Sequence, residues 1–198
     1  MFKNVPARSP RPWVALAVLA FVTGSVSSAP LENPTVDDLV ARLGDGAVAK
    51  AFRRTAPPDI SSSICPESMG ASGKNLVVVP FAADGAPAVD IEVTFGTASD
   101  RLTPADTARL GVVAQALRHP SLSTARFAVA GHTDAVGNRQ TNLELSCARA
   151  IAVRSFLIQQ GIAAERLSAY GFGPDRPVER TQAASRVNRR VEFRRASN

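Results

Sequence analysis

Apolar and polar positions follow two regimes along this chain, broken before about residue 86 and regular after it. Ile91-Glu-Val-Thr-Phe95 alternates apolar and polar residues, which predicts a half-buried strand. Thr103-Pro104 then supplies a helix cap and a proline suited to the first helical position. Leu110, Val113, Ala114 and Leu117 recur at helical spacing behind it, and His119-Pro120 ends that helix. The run from Arg126 to Gly131 predicts a second strand. A long helix is expected from about Arg139 to Gln160, with Leu145, Ala148, Ala152, Phe156 and Leu157 as its buried stripe and Gly161 as its stop. Leu167 to Tyr170 reads as a third strand. Arg189 to Phe193 reads as a fourth, with Val191 and Phe193 on one face. This order predicts an α/β (α+β) two-layer sandwich: a βαβαβ-β core with one mixed four-stranded sheet and two main helices on one face. Roughly 110 residues are enough to bury a core of their own.

The first regime reads differently. Lys3, Arg8 and Arg11 precede an apolar run from Trp13 to Val22, and Val26-Ser-Ser28 offers small residues. That is the pattern of a secretory signal, with a cut after Ser28, and the apolar core is shorter than the roughly 18–20 residues of a membrane span. No Cys lies near the cleavage region, which argues against a lipid anchor. Residues 29–85 form an accessory or linker segment. Thr35 caps a short helix there, Leu39, Val40 and Leu43 give it an apolar face, and Gly44 stops it. Leu76 to Val79 is an expected short edge strand, hairpinned to the next across Asp84-Gly85. The organisation is therefore a signal at 1–28, the accessory segment at 29–85 and the folded domain at 86–198.

Charge changes this picture little. The chain carries +6 and the signal three of its basic residues with no acid, so the remainder carries +6 − 3 = +3. No aromatic-interleaved basic patch accompanies that excess, and nucleic acid is not an expected partner. Cys65 and Cys147 are the two cysteines. An exported protein can keep a disulfide, so they either pair or stand as two thiols, with Cys147 a small helical residue.

The chemistry gathers around one loop and one helix. Asp134 ends the buried run Phe127-Ala-Val-Ala-Gly-His-Thr-Asp134, and Arg149 lies within Asn142-Leu-Glu-Leu-Ser-Cys-Ala-Arg149. A carboxylate at a strand's end and a guanidinium on the next helix can face one small cavity. Such a pair suits a ligand with an ammonium and a carboxylate on one carbon. Asn142 and Arg149 lie two turns apart on one helix face, with Ser146 between them. The helix's free N–H groups and dipole are expected to favour a carboxylate nearby. His132 has only His119 as a companion and no partners at metal-ligand spacing, so it reads as a packed residue.

Gly131-His-Thr-Asp134, Asn142-Leu-Glu-Leu-Ser-Cys-Ala-Arg149-Ala150, Gly171-Phe-Gly173 with Pro177, and Asn188-Arg-Arg-Val191 together resemble the OmpA-like C-terminal domain. The likeness runs across roughly residues 87–195 in the family's order. It implies noncovalent binding of peptidoglycan through the meso-diaminopimelate of the peptide stem. Asp134 and Arg149 match the main contacts, Asn142 and Arg189 match supporting positions, and the main chain at Asp100-Arg101 matches a loop bordering the site. Asn188 is expected to shape the turn into the last strand, and Gly171, Gly173 and Pro177 to form backbone. Gly96 and Pro174 stand where acidic residues are common in the family, which alters the rim.

The resulting expectation is a periplasmic, outer-membrane or wall-associated binding module without cofactor, metal or catalytic residues. Its partner is peptidoglycan, and residues 30–85 are a further candidate surface for an envelope protein. A membrane-anchored subunit of an envelope or motor complex, with residues 12–28 left uncleaved, is the alternative. A wall hydrolase or amidase would need a nucleophile with a base, or a metal site, and neither pattern is present.

Overall fold

The computed structural model describes residues 30–44, 64–65, 78–82, 86–93, 95–96, 99–178 and 181–196. The signal assignment and the expected Asp84-Gly85 hairpin lie outside them. Among the described residues three α-helices and four strands follow one another in the order α1 (Val36–Leu43), β1 (Ala88–Glu92), α2 (Pro104–Arg118), β2 (Phe127–His132), α3 (Arg139–Gln159), β3 (Leu167–Gly173) and β4 (Arg190–Arg195). The sheet order is β1-β4-β2-β3. β2 and β3 run parallel, joined by the α3 crossover, and β4 lies antiparallel to both of its neighbours. The mixed four-stranded sheet expected from the pattern is therefore present.

Local chemistry sets the helix ends. The Thr103 hydroxyl accepts the Asp106 N–H at 3.2 Å, and the Asp106 carboxylate accepts the Thr103 N–H at 3.0 Å, a reciprocal capping box. Thr35 caps α1 by accepting the Asp38 N–H on its hydroxyl at 3.1 Å, and the Gly44 N–H closes the helix on the Val40 carbonyl at 2.8 Å. The main core joins α1, α2 and α3 to one sheet face, with Leu39, Leu43, Leu110, Leu117, Phe127 and Phe193 fully buried.

Several expectations shift. β1 begins at Ala88 and ends at Glu92, earlier than the alternation suggested, and β3 extends to Gly173. The deep line of α3 is Ser146, Arg149, Ala150, Val153 and Leu157. Of the expected stripe only Leu157 is fully buried; Leu145, Ala148, Ala152 and Phe156 are half-buried. The reason is close approach. A Cβ on Gly131 would stand 2.1 Å from the Ser146 carbonyl oxygen, and one on Gly171 would stand 2.8 Å from the Cys147 nitrogen. Helix backbone meets strand backbone there, so small residues rather than large ones line the contact.

The described parts of the 29–85 segment pack on the domain. Leu31 pairs with the outer edge of β1, its N–H donating to the Asp90 carbonyl at 2.8 Å. Ile64 bridges Tyr170 at the opposite edge, and the Cys65 N–H donates to the Ala169 carbonyl at 3.1 Å. Cys65 and Cys147 form a disulfide. Residues 78 and 79 are not a strand. Side chains hold Val79 instead: its N–H donates to Ser168 Oγ at 2.9 Å and its carbonyl accepts from the Tyr170 hydroxyl at 2.7 Å. These residues, with Phe81 and Ala82, cover the sheet face that carries no helix.

That second face is charged as well as buried. Glu192 accepts from Arg194 Nε at 2.7 Å and lies 3.1 Å from His132 Nε2. Arg176 and Arg194 stack on the Phe81 ring at 5.0 and 4.7 Å. His132 is packed against Phe172, as a structural reading of it requires. Burial, with the Arg190 charge adding to it, lowers the His132 pKa to about 4, against the raising effect of Glu192.

Candidate functional site

Three loops converge at the C-terminal end of β2. They are the β2–α3 loop with Asp134, the β1–α2 loop around Ser99, and the turn into β4 with Arg189. The Asp134 loop is held from several sides. The Thr133 N–H donates to the Gly173 carbonyl at 2.9 Å and the Ala135 N–H to the Ala183 carbonyl at 3.0 Å. Asp134 Oδ1 accepts the Val136 N–H at 3.2 Å, closing an Asx turn. Asn142 Nδ2 donates to the Val136 carbonyl at 3.0 Å and more weakly to the Asp134 carbonyl at 3.4 Å. Asn142 thus fixes the loop that carries the carboxylate.

Arg149 is deeply set, only 5% exposed. Its Nε donates to the Ser99 carbonyl at 3.1 Å and its Nη2 to the Gly96 carbonyl at 3.3 Å. The guanidinium also lies 4.7 Å above the Phe95 ring. One edge of the guanidinium is therefore spent on the β1–α2 loop, while the edge carrying Nη1 takes no part in those bonds. Burial lowers the Arg149 pKa first and the Arg189 charge lowers it further; Asp134 and Asp100 oppose the shift. Gly96, at a position noted for lacking an acid, supplies a carbonyl here instead. Ser99 had no signal in the sequence, because a carbonyl contact carries no side-chain signature.

Asp134 and Arg149 do not meet in a direct ion pair. The partner of Asp134 is Arg189, whose Nη1 lies 2.8 Å from Asp134 Oδ2. The helix end differs from expectation too. Asn138 Oδ1 accepts the N–H groups of Gln140 and Thr141 at 2.8 and 3.1 Å, so much of the α3 N-terminus is capped from within. Arg149 lies ten residues beyond Arg139, about 15 Å along the axis, where the helix dipole has little effect.

Asp100 and Arg101 are both exposed at the rim, and the Arg101 N–H donates to Ser99 Oγ at 3.1 Å. Asn188 shapes its turn as expected: Oδ1 accepts the Val178 N–H at 2.8 Å and Nδ2 donates to the Gln182 and Ala183 carbonyls at 3.0 Å. Gly173 adopts a positive φ of 50° beside Leu143, and its N–H donates to Ser146 Oγ at 2.9 Å. Among the described residues no cluster of metal-ligating side chains occurs, and no helix is long and apolar enough to cross a membrane.

Known proteins share this arrangement of sequence. The OmpA family model matches residues 94–190. The peptidoglycan-associated lipoprotein of Mesorhizobium japonicum is 30% identical over 146 residues, covering 74% of this chain and 80% of that protein. Outer membrane porin F of Pseudomonas fluorescens is 47% identical over 66 residues, 32% of this chain and 20% of the porin. The crystal structure of the peptidoglycan-associated lipoprotein from Burkholderia pseudomallei aligns at 28% identity over 52% of this chain and 87% of that one, with a TM-score of 0.44. The chain spans only 20% and 48% of the porin F proteins from Pseudomonas fluorescens and Pseudomonas aeruginosa.

Proposed function

Because the chain belongs to the OmpA family, we propose that it binds peptidoglycan noncovalently and anchors the cell envelope to it, through the diaminopimelate of the peptide stem. It is a holding protein and not an enzyme, and its place is the periplasm, against the wall. The observation that carries this reading is the pair of opposite charges fixed at one loop junction. Asp134 is held by the Val136 N–H and a bound loop, and Arg149 by two carbonyls and an aromatic ring.

In this reading the ligand's ammonium meets Asp134, with Asp100 adding negative potential at the rim. Its carboxylate meets the Nη1 edge of Arg149, where two parallel hydrogen bonds are possible. Asn142 serves by holding the Asp134 loop, and Arg101 borders the entrance. Nothing in this scheme breaks a bond; it grips one amino-acid head in a defined orientation.

Sedimentation with purified sacculi tests it. The native protein should pellet with the wall, and excess free meso-diaminopimelate should release it. Cadaverine, which has the amines without the carboxylates, should not. Asp134→Asn should lose roughly 2–5 kcal/mol of binding, enough to abolish retention. Wild-type retention of that variant would sink the site assignment.

A further inference from the structure

A serine inside a helix ordinarily closes its hydroxyl on a carbonyl of the preceding turn. Ser146 does so, donating to the Leu143 carbonyl at 2.7 Å. It also makes a bond that the helix does not require. Fully buried, its Oγ accepts the Gly173 N–H at 2.9 Å. The parallel ladder slips at this point. Gly131 pairs with Gly171 and His132 with Gly173, so Phe172 is an extra residue on β3. The Gly173 carbonyl in turn accepts the Thr133 N–H at 2.9 Å. A Cβ on Gly173 would stand 3.1 Å from the Leu143 nitrogen, and one on Gly171 would stand 2.9 Å from Ser146 Oγ, so helix and bulge meet with no room to spare. Two hydrogen bonds thus join Ser146 to Thr133. Thr133 is the residue before Asp134, and Ser146 lies less than one helical turn before Arg149.

We propose that Ser146 is a positioning residue of the site: its hydroxyl fixes the separation of the Asp134 carboxylate from the Arg149 guanidinium and never touches the ligand. This inference rests on the reading of Asp134 and Arg149 given above and concerns what sets their spacing. The two charges do not set it themselves, because Asp134 pairs with Arg189 and Arg149 with two carbonyls. They also belong to different elements, a loop after β2 and the body of α3. A ligand with both its charges on one carbon needs the two elements at one short, constant distance. Asn142 ties α3 to the far side of the loop, at the Asp134 and Val136 carbonyls. Ser146 ties α3 to the near side, through Gly173 and Thr133, where the strand delivers the chain to Asp134. Without the hydroxyl the buried Gly173 N–H has lost its acceptor, and the bulge shifts to find another. That shift passes through the Gly173 carbonyl to Thr133 and so to Asp134, while Arg149 stays on its carbonyls. A two-point contact is weakened by any such change of spacing.

Titration calorimetry on the full chain, with meso-diaminopimelate as the probe, decides the matter. Ser146→Ala should bind roughly tenfold more weakly than the native protein, in the range of variants that act on a site without contacting its ligand. Gly173→Ala keeps the hydroxyl but crowds Leu143 at the same joint, and it should weaken binding in the same direction. Val113→Ala is the control, a cavity in the α2 core away from the joint. It should lower the melting temperature as Ser146→Ala does and yet bind as the native protein does, with all titrations run well below every melting temperature. Native-strength binding by Ser146→Ala overturns the positioning role, and so does an equal weakening in Val113→Ala, which would make the effect one of general loosening. If Ser146→Ala does not fold, Gly173→Ala decides by the same comparison. Either failure, with Asp134→Asn still abolishing binding, leaves the site assignment standing. Native-strength binding by Asp134→Asn removes both.

Discussion

One face of the sheet meets α1, α2 and α3 mainly through apolar side chains, among them Phe127, Val129, Val191 and Phe193. The other face presents Arg190, Glu192 and Arg194 from the same strand, beside His132, Tyr170 and Phe172. Both are closed to water. The first is closed by the hydrophobic effect acting on helices the strands are connected to. The second is closed by a remote segment that satisfies charges with partners and rings: Arg194 Nη1 donates to the Ala82 carbonyl at 3.3 Å, and Phe81 sits among Tyr170, Phe172, Arg176 and Arg194. The difference shows that burial and apolarity are separable. A charged strand face can be dry if every charge is matched and the cover is held in place.

The comparison breaks most readily at its strongest points. Phe193→Ala should cost about 3–5 kcal/mol by cavity formation. Glu192→Ala should cost a similar amount, about 3–5 kcal/mol, because it strands buried positive partners. Urea titration measures both. A Glu192→Ala loss below about 0.5 kcal/mol, the range of ordinary surface changes, would mean the second face is wet. Next in size is the disulfide. Cys65→Ser should cost about 2–4 kcal/mol, and the effect should be lopsided. Amide exchange should quicken at the β3 edge, where Cys65 pairs with Ala169, more than in α2; equal quickening would erase the distinction between the faces.

The smallest effect is a pH dependence. His132 titrates near 4 in the folded chain and near 6.5 when unfolded, so the unfolded state takes up a proton first as pH falls. Stability from this group is present above about 6.5 and is lost on the way down to about 4. Between pH 7 and 5.5 the loss should be about 1 kcal/mol, and His132→Asn should flatten that part of the profile. An unchanged slope in the variant would assign the dependence to other groups.

The apolar face was legible in the sequence because its signals are local. Thr103-Pro104, the Leu110 to Leu117 spacing and the Thr35 cap each define an element without outside help. The second face was not legible. Arg190, Glu192 and Arg194 alternate with Val191 and Phe193 as a solvent-facing strand would, and their cover lies 112 residues away in the case of Ala82. The site was legible in part. Asp134, Arg149, Asn142 and Arg189 do gather around one loop junction, but the partnerships differ from those the charges suggested. Arg149 takes backbone carbonyls, and Asp134 takes Arg189. The α3 stripe misled for a related reason: Gly131 and Gly171 draw the helix in so closely that Ser146 and Arg149 face inward ahead of Leu145 and Ala148.

Cys147 stands two positions before Arg149, and its bond to Cys65 makes a covalent shortcut across 82 positions of chain. Suppose that Arg149 grips the wall as proposed, and consider tension between it and Cys65. The load path runs through half a turn of α3 and one sulfur–sulfur bond. β1, α2 and β2 lie within the bypassed loop, and β3 and β4 hang beyond the grip. No rung of the sheet is in series with the pull, so the molecule bears force as a link in a chain does, not as a seam that can be unzipped.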